Sequence, residues 1–175
     1  MSAWYLLIIG VPILTLAQTT GSAFLPPPWS TADPTLILAV GLVANFRNRQ
    51  ALAVAVISGF ILDILLAAPP GAEIFARTTA ILATILAFNL IFTNLSYLSF
   101  AALNALTYLA SRLIFTLIGL AAGWPGILRL ADQAWTDWLG WFAADLAVQL
   151  AAALVLMFLA RRTGRFFLNR FRRAT

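Results

Sequence analysis

Residues 51–68 read ALAVAVISGFILDILLAA, eighteen positions that carry a single charge, Asp63. A membrane-spanning helix needs about 20 predominantly apolar residues, or somewhat fewer if its ends snorkel, and this stretch meets that length. Five more apolar stretches flank it, at residues 3–20, 34–46, 74–95, 98–120 and 139–160. Hydrophobic residues make up 62% of the 175 positions, against about 45–50% in soluble domains. Charged residues make up 10%, where about 25% is usual. So few charges cannot cover so much apolar surface, and the loops are too short for a soluble domain. The reading is an all-α, polytopic six-helix transmembrane bundle over residues 1–160, followed by a basic tail over 161–175.

Composition removes several kinds of chemistry. The chain has no Cys and no His, which excludes disulfides, iron–sulfur clusters, the usual zinc sites and Cys/His or Ser/His catalysis. Ser58, Ser96, Ser99 and Ser111 read as small packing residues, and no enzyme activity, metal or cofactor is expected. All eleven basic residues are Arg, giving a net charge of +5. Six of them, Arg161, Arg162, Arg165, Arg170, Arg172 and Arg173, crowd the last fifteen positions. Directly after a spanning helix, such a cluster is a cytoplasmic anchor on anionic lipid, not a nucleic-acid module.

The positive-inside rule then orients the bundle. The tail places the C-terminus in the cytoplasm, and the basic turn Arg47-Asn48-Arg49 falls on the same side. Both termini are therefore expected inside. Residues 3–20 lack a preceding Lys or Arg, which predicts a retained helix instead of a cleaved signal peptide. Outer loops hold Asp33, Glu73, Asp132 and Asp137, with Arg129 their one basic residue. Pro26-Pro27-Pro28-Trp29, Trp135, Trp138 and Trp141 suit an outer interface. Asp33-Pro34 reads as a helix start, with Asp capping free N–H groups and Pro at the first helical position. The stretch after it covers only roughly 20 Å, so it borrows length, sits inside the bundle, or is re-entrant; a normal helix whose Arg47 and Arg49 snorkel is the leading expectation.

Small and polar stripes mark the faces where membrane helices meet. Ala51, Ala55, Gly59 and Asp63 recur every four residues, as do Asn104, Tyr108, Arg112 and Thr116. Asp145 and Gln149 repeat the spacing in the last stretch. Four ionisable groups lie within the apolar stretches, at depths of about 8 Å for Asp63, 5 Å for Arg77, 12 Å for Arg112 and 9 Å for Asp145 below the outer end. Charges there are costly unless paired or hydrated. Two structural ion pairs are expected, Arg112 with Asp145 foremost, with Asp63 and Arg77 as competing partners; a ligand pocket or ion pathway on the same residues is the alternative, and accidental interfacial placement the third reading.

Pro34-Thr35-Leu36-Ile37-Leu38, the basic turn, Gly59-Phe60-Ile61-Leu62-Asp63-Ile64-Leu65 and Pro70-Gly71 together resemble the bacterial rod shape-determining protein MreD family. The likeness covers residues 33–95 and rests on Pro34, Gly59, Asp63 and Gly71. It departs from the family in the Pro69-Pro70 pair and in Glu73. The resemblance implies a non-enzymatic scaffold of the cell-elongation machinery in the inner membrane. Such a scaffold binds the bitopic protein MreC and sits near MreB and the peptidoglycan synthase. The rival is the substrate-binding subunit of an energy-coupling-factor vitamin transporter, also six-helical and of this size. Residues 6–17 lack the Ala-x-x-x-Ala patch with which those subunits dock.

Overall fold

A computed structural model describes residues 3–22, 24, 31–66, 69–91, 96–125 and 135–171. Regular structure among them is helical throughout: α1 (Ala3–Ser22), α2 (Pro34–Ala44), α3 (Asn48–Leu65), α4 (Ala72–Leu90), α5 (Tyr97–Ala121) and α6 (Trp135–Phe171). By length and composition α3, α4, α5 and the Phe142–Leu159 part of α6 are apolar enough to cross a membrane. The apolar parts of α1 and α2, Leu7–Ser22 and Pro34–Ala44, are shorter. Large apolar side chains such as Ile9, Phe60, Leu86, Leu113 and Phe158 are exposed around the outside. That exterior belongs in lipid, and the chain is a membrane protein.

Local chemistry sets the helix ends. Asp33 caps α2 through its side chain, which accepts from the Leu36 N–H, and Pro34 follows at the first helical position. At the far end Phe46 takes a left-handed φ of 58°. The Phe46 N–H donates to Val43 O at 2.9 Å and the Arg47 N–H to Leu42 O at 2.9 Å, the paired bonds of a Schellman stop. Glycine normally occupies that position. Here a phenylalanine holds it, with its ring 5.3 Å from that of Phe88. Gly123, φ 63°, ends α5 in the same way, with the Trp124 N–H reaching Gly119 O at 2.8 Å.

The short helix resolves its own length problem. α2 rises only about 16 Å, yet seven of its eleven residues are buried. It touches all five other helices, while α1, α3, α4, α5 and α6 pack in that order around it. Of the three ways sequence left open for this stretch, the interior one is taken. Protein, not lipid, covers Ile37, Ala39, Val40 and Val43, which share a core with Val11, Val54, Ile81, Leu103 and Met157. A helix apolar on every side requires such a position.

Two bounds differ from the sequence reading. α4 begins at Ala72, so Glu73 lies in its first turn and not in a loop; an acid is favoured there by the positive end of the helix dipole. α6 continues without a break to Phe171, so residues 161–171 are helical and continuous with the last apolar stretch. No Pro interrupts them, Arg is a good helix former, and Gly164 alone costs about 1 kcal/mol. The side chains of residues 135–139, 141 and 160–171 lie outside the description, and with them Trp135, Trp138, Trp141, Asp137, Arg161, Arg162, Arg165 and Arg170. Residues 26–29, Arg129, Asp132, Arg172 and Arg173 also lie outside the described residues.

Candidate functional site

At the end of the bundle where α2 and α4 start and α3 stops, a buried polar network joins four helices. Arg77, one turn into α4, is its centre. The Nε–H donates to Glu73 Oε2 at 3.0 Å, an i, i+4 pair within the helix. Nη2 donates to Asp33 Oδ2. Nη1 donates to Thr35 Oγ1 at 2.8 Å and, more weakly, to Asp33 Oδ1 and Ser58 Oγ, each at 3.4 Å. Asp33 also accepts from the Leu36 N–H at 3.0 Å and the Thr35 hydroxyl at 2.7 Å. From α6, the Gln149 side chain bonds the Asp33 backbone twice: its Oε1 accepts the Asp33 N–H at 2.7 Å, and its Nε2 donates to Asp33 O at 3.3 Å.

All six side chains are buried, with Arg77 at 4% exposure and Gln149 at 0%. Burial opposes ionisation of Asp33, but the Arg77 guanidinium, the Thr35 hydroxyl, and the Leu36 N–H favour it. The balance holds its carboxyl below the ordinary carboxylate range. Every nitrogen of the guanidinium makes at least one hydrogen bond, and two carboxylates already flank its charge. The network is a clamp that fixes α2, α3, α4 and α6 to one another.

The adjacent corner is built by Gly59, Asp63 and Gly71. A Cβ placed on Gly59 would lie 2.7 Å from Ile74 Cα and 2.9 Å from Ile74 N, so the backbone of α4 starts directly against α3. Gly71 turns the chain with φ 81° and has no side chain with which to cap α4. Asp63 supplies the cap from the neighbouring helix: Oδ1 accepts the Glu73 N–H at 2.8 Å and Oδ2 the Ile74 N–H at 3.4 Å. These are the second and third N–H groups of the helix, the usual targets of a capping carboxylate. Ala51 and Ala55, earlier on the stripe, are fully buried.

These contacts correct the expected charge pairs. Asp63 pairs with neither Arg77 nor Arg112, because free helix N–H groups satisfy its oxygens. Arg77 takes Asp33 and Glu73, residues the sequence reading assigned to outer loops. No ion pair joins Arg112 to Asp145 among the described residues. The Arg112 guanidinium instead lies over the Tyr108 ring, 5.4 Å from its centroid, and the residue is exposed.

The stripe Asn104, Tyr108, Arg112 and Thr116 divides in the same way. Asn104 and Tyr108 are buried, while the inward face continues through Ser111 and Phe115. Each four-residue step turns about 40° around a helix of 3.6 residues per turn, and two steps carry Arg112 outward. Thr116 closes its hydroxyl on Arg112 O at 2.8 Å. Three atoms along the α5–α6 seam have no hydrogen-bond partner: Asn104 Oδ1, Tyr108 Oη and Asp145 Oδ1.

Sequence reasoning placed Gln149 on an inward face but missed Asp33 and Glu73 as buried acids. The Glu73-x-x-x-Arg77 spacing was the available signal, since groups four apart on a helix are neighbours. No family model, no curated protein and no solved structure matches this chain.

Proposed function

We propose that the chain is a non-enzymatic scaffold subunit of the bacterial cell-elongation machinery, of the MreD type. On this reading it crosses the inner membrane six times with both termini in the cytoplasm. It binds an MreC-like bitopic protein near MreB and the peptidoglycan synthase, and its basic C-terminal residues rest on anionic lipid. The observation that carries the reading is the joint use of Gly59, Asp63 and Gly71 at one corner. Three of the four residues on which the resemblance rests act there as close approach, cap and turn. Charge in the clamp is directed at holding helices together, which suits a rigid surface for partners.

In a rod-shaped bacterium depleted of its own MreD, the chain expressed with its cognate MreC-like protein should restore rods and co-purify with that protein. Cells that stay round, with no co-purification, would refute the reading. Cysteines introduced at Ser2 and Thr175 should resist an impermeant thiol reagent in intact cells, while one at Gly123 should react. Labelling of only one terminus would overturn the six crossings. The transporter reading draws on the unpartnered Asn104, Tyr108 and Asp145 atoms along the α5–α6 seam. Stabilisation of the purified protein by one member of a vitamin panel would favour it.

A further inference from the structure

The outward Arg112 has no carboxylate partner among the described residues, although it stands deep in a spanning helix. Leu109 is the midpoint of the 25-residue α5. Arg112 therefore lies about 4–5 Å past the middle of the bilayer, roughly 10 Å short of the nearer hydrocarbon boundary. Helical side chains lean toward the helix N-terminus. Arg112 follows that rule, stacking on Tyr108 one turn back, so its guanidinium leans toward the midplane and away from the nearer headgroups. It does not snorkel. Around it α5 presents Leu109 and Leu113, exposed to 37% and 62%, and the half-buried Thr116.

We infer that this face of α5 is the docking site for a membrane-spanning helix of a partner protein carrying Asp or Glu near mid-depth. Charge complementarity and depth select that occupant. A cation in hydrocarbon is costly unless an anion meets it, and a lipid phosphate lies beyond the reach of a side chain turned to the midplane. Among the described residues a second copy of this chain offers little: Asp33 and Glu73 are held by Arg77, Asp63 caps α4, and Asp145 keeps Oδ1 buried. A planar guanidinium matches a carboxylate with two parallel hydrogen bonds, which fixes the register of the incoming helix. The site rests on the scaffold reading above and names the surface through which the bitopic partner is held.

The test is capture of that bitopic protein by the full chain from co-expressing membranes. Arg112→Leu should lower capture about tenfold or more, since it leaves the partner's carboxylate unpaired in the membrane. The isolated variant should unfold no lower than the wild type, because it removes an unpaired charge and loses only the stack on Tyr108. Arg112→Glu should lose capture, and Arg in place of the partner's acid should restore it. Failure of the wild-type chain to capture the partner refutes the scaffold reading and this site with it. Wild-type capture that Arg112→Leu leaves unchanged refutes the site alone. Loss of bound anionic lipid, or of a homodimer, with capture intact would make the occupant a lipid or a second copy and overturn the proposal. A partner whose spanning helix has no Asp or Glu overturns it before any protein is made.

Discussion

Arg77→Leu should destabilise the fold by about 3–5 kcal/mol, the cost of breaking a buried ion pair by removing one partner. The substitution preserves bulk but strands Asp33 and Glu73, at 4% and 5% exposure, with no cation in reach. It also removes the donor that meets Thr35 and Ser58. Unfolded helices in a membrane find other polar partners, which puts the loss toward the lower end of that range. For a chain of this size it corresponds to a fall of roughly 6–20 °C in Tm in detergent.

Arg77→Lys tests geometry separately from charge. A single ammonium carries the same charge, but it lacks the fork that meets Glu73 through Nε and Asp33 through Nη2. Its loss should fall between those of the wild type and Arg77→Leu. Combining Arg77→Leu with Asp33→Asn and Glu73→Gln should recover part of the loss by removing the stranded charges. Wild-type stability for Arg77→Leu alone would mean that water reaches the network and that the clamp carries no weight.

Several of these parts were legible in sequence, and the rest were hidden for identifiable reasons. The Asp33-Pro34 start was readable because a cap and its helix are contiguous. Gly59 and Asp63 were readable as a face because helical spacing is fixed by geometry. Their purpose was hidden, since Asp63 meets backbone N–H groups whose availability depends on Gly71 turning α4 back onto α3. Counting charges into loops misplaced Glu73 and hid the burial of Asp33, because a carboxylate at or near a helix start belongs to the bundle when a buried Arg bonds it. The Asp33–Gln149 bonds span 116 positions, and only the packing of α6 beside α2 brings the two together. The Arg112–Asp145 expectation followed from adjacency of their helices and similar depth. Rotation about the helix axis decided otherwise, as the burial of Ser111 and Phe115 on the inner face shows.

Gly59→Leu should be at least as disruptive as loss of the clamp's arginine, because the two failures are mechanically joined. Even the first side-chain carbon would sit 2.7 Å from Ile74 Cα and 3.0 Å from Glu73 C. Those neighbours are backbone, so α4 itself must move. Overpacking of this kind costs about 1–3 kcal/mol for small additions, more than the roughly 1 kcal/mol that Ala gains over Gly in helix propensity. Gly59→Ala should therefore lower Tm modestly, and the longer Leu side chain should lower it much further. A displaced α4 also lengthens the Asp63 bonds to Glu73 and Ile74 and carries Glu73 and Arg77 away from Asp33. Asp63→Ala alone should cost about 0.5–2 kcal/mol, the usual loss of a helix cap, and Asp63→Asn should keep most of it. If one displacement underlies both effects, Gly59→Ala with Asp63→Ala should cost less than the sum of the two, since the shift has already weakened the cap. Strict additivity would separate close approach from capping, and an unchanged Tm for Gly59→Leu would mean that α3 and α4 do not meet at this glycine.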